Sequence, residues 1–287
     1  MSCADIHRYM QISHKNLCWT NSRESNLAGK CRLGSNSNDL AEANRKAIYL
    51  LKEIRHKYET ERTPVVISGC IGLRRDGYIP DQIMSAPEAQ AYHQKQINVF
   101  ADSDADMVCA TTMNYVEEAL GISKSAQQAL MPVAISFTVE TDGNLPTGQS
   151  LKSAIEQIVD ATSGYPQYYM INCAHPTHIE HALDDHGLWL ERIRGIRANA
   201  SCKSHSERND SIELDIGNPA ELGIQYANLK KSLPYLNVMG GCCGTDHRHV
   251  EQIARHACSY LAVATLIISC SNKDQIHASH ARKSTNL

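Results

Sequence analysis

The chain predicts an α/β protein built as a (β/α)8 TIM-type barrel that is incomplete at its N-terminus. Three observations carry this. Short β-branched runs alternate with longer amphipathic stretches, the pattern of parallel strands joined by right-handed crossovers. No glycine-rich dinucleotide fingerprint follows the first strand, so a nucleotide-binding doubly wound sheet fits less well. Six strands are legible between residues 64 and 241, where a closed barrel needs eight. The first one or two strands are therefore not visible.

The elements follow in order. Residues 39–59, DLAEANRKAIYLLKEIRHKYE, carry apolar side chains at helical spacing behind Asp39, a candidate N-cap. PVVISGC (64–70) is a buried strand, 87–101 a helix, DMVCATT (106–112) a strand and 116–130 a helix. The alternation continues with strand 132–140, helix 150–162, strand 167–173 and helix 177–185. A short helix near 187–193 precedes strand 194–201, then helix 219–231, strand 235–241 and helix 246–257. Residues 1–38 are polar and contain no four-residue β-branched run, so they read as an irregular remnant or a non-native N-terminal segment. The barrel domain runs over 39–258. Residues 259–287 combine a short apolar run with a polar end and read as a disordered tail.

Composition narrows the function. With 287 residues, 42% hydrophobic and 21% charged, the chain is ordinary globular material, large enough for a sizeable core. Its net charge of −3 and lack of a basic run argue against nucleic acid as partner. The most apolar stretch, LAVATLIISC (261–270), is about half of what a membrane span requires, so no membrane association is expected. Eleven scattered cysteines, without a charged and apolar leader ahead of them, fit a reducing cytoplasmic protein better than a disulfide scaffold.

The most informative stretch is MGGCCGTDHRHV (239–250). Adjacent cysteines make a strained disulfide, whereas flanking glycines let the backbone fold sharply and bring both sulfurs to one point. Two thiolates at one point suit a soft metal, zinc most commonly. Barrel active sites lie just past the C-terminal ends of the strands. Cys242 and Cys243 follow the last strand, and Cys173 follows the strand two positions earlier, so the three can meet. Three thiolates leave one tetrahedral position open, the arrangement of a catalytic zinc.

INCAHP (171–176), followed by GGCCGT (240–245), resembles the homocysteine S-methyltransferase family. PVVISGCIG (64–72), DMVCATTMNYVEEAL (106–120), PVAISFTVETDGNLPTGQSL (132–151) and RGIRANAS (194–201) resemble that family's third, fourth, fifth and seventh strand segments. The resemblance spans roughly residues 25 to 256. It implies a zinc-dependent barrel whose metal ligands are Cys173, Cys242 and Cys243, and which moves a methyl group from a sulfonium donor, S-methylmethionine or S-adenosylmethionine, to the homocysteine thiol, giving methionine. Two departures stand out. The family's opening strand, ending in Asp-Gly, is absent, and TNSRESNLAGK (20–30) is at best a remnant of the second. Thr111 occupies the place of a family glutamate that helps to hold the amino acid, and Glu140 is the carboxylate available in its stead.

Other residues have plainer readings. Cys70 and Cys109 read as core thiols and Cys202 as a loop thiol rather than ligands. His175 and His178 order the Cys173 loop, and His247 and His249 open the last helix behind Thr245 or Asp246. Asn172 positions the Cys173 loop, Asn199 either binds substrate or stabilises the barrel rim, and Glu140 and Asp142 read as solvated loop carboxylates more readily than as substrate ligands. Two rivals to the methyltransferase reading remain. One is a truncated, catalytically impaired member that binds zinc only, with open strand edges that self-association would cover. The other is a redox protein using Cys242 and Cys243, disfavoured because there is no Cys-x-x-Cys.

Overall fold

A computed structural model describes residues 37–257, except 62, 185, 186 and 210. The expected N-terminal remnant and the expected disordered tail lie outside the described residues. Among the latter, eight α-helices and six strands alternate: α1 (Ser37–Tyr58), β1 (Ser68–Gly72), α2 (Ala86–Ala101), β2 (Met107–Met113), α3 (Val116–Gln128), β3 (Val133–Phe137), α4 (Leu151–Thr162), β4 (Tyr168–Asn172), α5 (Pro176–Ala182), β5 (Ile193–Ala198), α6 (His205–Asn209), α7 (Pro219–Ser232), β6 (Val238–Gly241) and α8 (His247–Ala257). A 3-10 turn, Leu188–Arg192, leads into β5. The expected order of elements is present, with α6 added.

The strands form one parallel sheet in the order β1-β2-β3-β4-β5-β6. Sequential order and parallel pairing are those of a partial TIM-type barrel, and β1 and β6 are its two ends among the described residues. The ladder starts at Ser68 rather than at residue 64 because the Ile67 amide donates to the Asp106 carboxylate at 2.6 Å instead of to a neighbouring strand.

Alternation along the strands separates two apolar layers. Val108, Ala110, Val133, Ile135, Phe137, Tyr169, Ile171 and Ile196 point to the helices and join the main core with Ile97, Phe100, Ile155, Leu222 and Leu229. The opposite face carries a small second cluster of Met107, Cys109, Ala134, Met170 and Val238. Gly195 belongs to that inner face: a Cβ there would stand 2.4 Å from Met170 Cγ, so the glycine makes room for the methionine. The helices begin on local chemistry: Ser150 accepts from Ser153 N, Asn218 accepts from Ala220 N, and Ser85 and Glu88 form a capping box. No helix of the described residues is long and apolar enough to cross a membrane.

Candidate metal centre

The C-terminal ends of β4 and β6 converge. Cys173, Cys242 and Cys243 place their sulfurs within 4.8 Å of one another. Cys173 and Cys242 are buried and Cys243 is half-buried.

Each sulfur is held by backbone that follows its strand. Past β4, Cys173 turns into the left-handed region (φ 58°) while its amide still donates to Arg197 O at 3.1 Å. Cys242 donates its amide to Ala198 O (2.8 Å), and Cys243 accepts from Ala200 N (3.0 Å). Asn199 ties the two arms together. Its Nδ2 donates to Cys173 O at 2.6 Å, and its Oδ1 accepts from Cys243 N at 3.1 Å. Gly244 (φ 80°) completes the turn, since a Cβ there would stand 2.5 Å from Asp215 O.

Asn172 organises the other side. Its Oδ1 accepts from Thr112 N (2.9 Å) and Ser136 Oγ (2.5 Å), and its Nδ2 donates to Thr112 Oγ1 (2.8 Å) and Cys173 Sγ (3.2 Å). Thr112 also has positive φ (60°), a strained state for a β-branched residue. It sits where the β2–β3 register shifts between Ala110 and Met113.

The donor set fits a tetrahedral soft dication. Metal–sulfur bonds of about 2.3 Å place three thiolates roughly 3.8 Å apart, which the 4.8 Å bound on their spacing accommodates. Without a cation, hydrogen bonding to Cys173 and Cys243, together with burial, pushes the Cys242 thiol well above its ordinary range. A bound dication reverses that preference.

A family model described as homocysteine S-methyltransferase matches residues 3–257. The chain belongs to the homocysteine S-methyltransferase family. Solved structures of Escherichia coli homocysteine methyltransferase MmuM are similar. Its metallated form has a TM-score of 0.65 at 16% identity, over 88% of this chain and 83% of that one. The oxidized form gives 0.67 at 17% identity over the same shares, and the apo form 0.59 at 17%, over 78% and 76%. At such identities the likeness shows the fold alone. A comparison with curated proteins found no match.

The other candidates in this homocysteine S-methyltransferase family chain are distributed as follows. Thr111 is buried on the inner face, its hydroxyl 3.5 Å from Ile71 O and 3.6 Å from Cys70 Sγ. Thr112 is the threonine against the thiols, with Oγ1 3.8 Å from Cys173 Sγ. Cys109 lies on the inner face beside Met170, where burial, then Cys70, pushes its thiol up to about 12. Cys202 is exposed. His175 caps α5 by accepting from Thr177 N, and burial, then His178, pushes its imidazole down to about 4. His178 is lowered by burial and donates to Cys202 O at 3.1 Å. His247 opens α8. His249 is fully buried, accepting from Asp246 N and donating to Ile216 O at 2.8 Å.

Glu140 meets a partner absent from the sequence reading. His205, at the start of α6, places Nδ1 2.9 Å from Glu140 Oε1 and Nε2 2.9 Å from Cys173 O. One signal could have located it. Ser204 and Glu207 form a reciprocal capping pair, Ser204 N donating to Glu207 Oε2 at 2.8 Å and Glu207 N to Ser204 Oγ at 3.3 Å. That S-x-x-E spacing marks a helix start in an otherwise polar stretch.

Proposed function

We propose that this chain is a zinc-dependent methyltransferase that takes a methyl group from a sulfonium donor, S-methylmethionine or S-adenosylmethionine, and places it on the thiol of homocysteine, giving methionine. The observation that carries this reading is the meeting of three thiols at the strand ends, within 4.8 Å, in a chain of this family. Three protein donors leave one tetrahedral position for a substrate. When bound, zinc supplies a thiolate at neutral pH from a thiol that would otherwise stay protonated.

The chain's own residues set the geometry. Asn172 and Asn199 hold the two cysteine loops in one orientation. Glu140 is assigned to the acceptor's charged end and Thr111 to the inner-face floor of the pocket. In the transfer, the acceptor sulfur forms the new S–C bond as the donor's S–C bond breaks. The donor leaves as a neutral thioether, and the acceptor's thiol proton goes to solvent. Residues 39–258 are taken as the catalytic domain, working in the cytoplasm.

The alternative reading is a zinc-binding member of the family that turns over poorly; the two readings share the metal site and differ in turnover.

The test is zinc content of protein purified under reducing conditions, followed by methionine formation from homocysteine and S-methylmethionine. About one zinc per chain, lost in Cys243→Ser, with methionine formed by the parent protein, is the expected result. Zinc without methionine selects the second reading. Folded protein without zinc overturns both.

A further inference from the structure

Residues 73–85, between β1 and α2, form a long loop whose tip reaches the metal centre. At Gly77 a Cβ would stand 3.0 Å from Thr112 Cγ2, and Thr112 Oγ1 is 3.8 Å from Cys173 Sγ. Tyr78 lays its ring on the His205 imidazole, centroids 4.0 Å apart and planes 33° apart. His205 in turn faces Cys173 O at 2.9 Å through Nε2. Two neighbouring residues of one loop thus bear on two groups that touch Cys173.

The loop's own ties are short-range. Tyr78 N donates to Asp76 Oδ1 (2.9 Å), Asp81 N to Ile79 O (2.9 Å) and Arg74 Nη2 to Gln82 O (3.0 Å). From outside it is clasped by one short stretch, residues 114–118, at the start of α3. Glu118 Oε1 accepts from Arg74 N at the loop's beginning (2.7 Å). Asn114 Nδ2 donates to Asp76 O in its middle (2.9 Å), and the Tyr115 hydroxyl accepts from Met84 N at its end (3.3 Å). Burial, then the Glu118 carboxylate alongside, holds the Tyr115 phenol above its ordinary range, so it stays a neutral hydroxyl.

Glu118 is the costly member of this clasp. Its side chain is 1% exposed, and its partner on α2, His93, is 0% exposed, with Nε2 2.8 Å from Glu118 Oε1. His93 Nδ1 is buried with no hydrogen-bond partner among the described residues. A buried pair of this kind stabilises less than two apolar side chains packing α2 on α3 would. An apolar pair, however, cannot accept from the loop's backbone, which the carboxylate does with a charge-assisted bond.

We infer that Glu118 is a positioning residue for the metal centre: by clasping the β1–α2 loop it holds Gly77 and Tyr78 against Thr112 and His205, and so keeps the Cys173 arm in its metal-binding position. This rests on the metal-dependent reading above. It adds a group outside the ligand set that governs how firmly the ligands hold the ion.

The experiment uses the zinc-loaded full chain as parent, Glu118→Gln, Tyr78→Ala and the double variant. Two rates are read. One is native-state tryptic cleavage after Arg74 and the exposed Arg75, located by mass spectrometry. The other is zinc release to an excess of a chromophoric chelator. Glu118→Gln keeps the side chain's shape and removes its charge, and it should raise both rates about tenfold. Tyr78→Ala should also speed zinc release. The double variant should release zinc about as fast as the faster single one, because both changes loosen the same loop tip. Faster tryptic cleavage with unchanged zinc release gives Glu118 a merely structural role and overturns the inference, as do fully multiplicative effects in the double variant. Should Glu118→Gln fail to fold, Tyr115→Phe, which frees only the loop's end at Met84, decides in its place, with an expected rise of about threefold in both rates. A folded parent that carries no zinc removes the metal-dependent reading and this inference together. A zinc-bearing parent whose release rate is indifferent to Glu118 removes only the inference.

Discussion

The two faces of the sheet differ in what they ask of the sequence. The outer face is aliphatic and aromatic, and is closed over by helices in one continuous core. The inner face is thin and mixed: Met107, Cys109, Ala134, Met170 and Val238, with Thr111 and Cys70 on the same side. Helix-side packing is redundant, because outer-face residues of the strands and residues of several helices share one continuous core. Inner-face packing depends on small residues giving way to large ones across neighbouring strands. Stability should therefore reside on the outer face, and shape on the inner.

Ile135→Ala tests the first half and has the largest expected effect. Ile135 is fully buried in the middle of β3 beneath the helices. Truncation should cost about 3 to 4 kcal/mol, transfer and cavity terms combined, read as a lower denaturant midpoint at unchanged m-value. A loss under about 1 kcal/mol would show that the helix layer adapts and would erase the contrast. Gly195→Ala tests the second half. The new methyl meets Met170 Cγ at 2.4 Å, and overpacking of this kind costs about 2 kcal/mol. Adding Met170→Ala in the same chain should recover part of that loss, because the methyl then fills space that the methionine has left. Simple additivity of the two would mean that the inner face is not packed by this pair.

The same contrast explains what the sequence made legible. Outer-face runs such as Val133, Ile135 and Phe137 announce strands because β-branched and aromatic residues fit a pleated, buried surface. The helices near 150 and 219 were readable from their place in the alternation, but not their caps Ser150 and Asn218, and the expected cap Asp39 lies within the first turn of α1. The thiol cluster was readable because adjacent cysteines between glycines have few structural uses. Hidden features depend on placement rather than type. The register shift in β2 turns Thr112, not Thr111, toward Cys173, and a period-two reading has no means of seeing a slip. His205 lies in a polar stretch whose only signal is a capping pair. Its role arises from β3, β4 and the β1–α2 loop meeting it, contacts distant in sequence.

Tyr226 is where the two faces communicate, and it carries the smallest expected effect. It is fully buried on α7, within the helix-side core, yet its hydroxyl reaches the gap between β5 and β6. There it accepts from Ala198 N at 2.8 Å and lies against the carbonyls of Gly240 and, at 3.2 Å, Ile196. Gly240 lies two residues before Cys242, and Ala198 directly precedes Asn199, which bridges both cysteine arms. Burial holds the phenol well above its ordinary range, so it remains a neutral hydroxyl. Tyr226→Phe keeps the ring and leaves the Ala198 amide without its acceptor. The expected cost is about 1 kcal/mol of stability, seen as a fall in Tm of about 2–4 °C. Zinc affinity should fall further than that loss alone accounts for, by about tenfold, because the strand ends that aim Cys242 and Asn199 lose their tie to the helix. Ile135→Ala removes more stability but touches no thiol-bearing turn, so the folded variant should keep its zinc affinity. If Tyr226→Phe lowers Tm and leaves zinc affinity unaltered, the helix layer supports the sheet without aiming the site, and the site's geometry resides wholly in the loops.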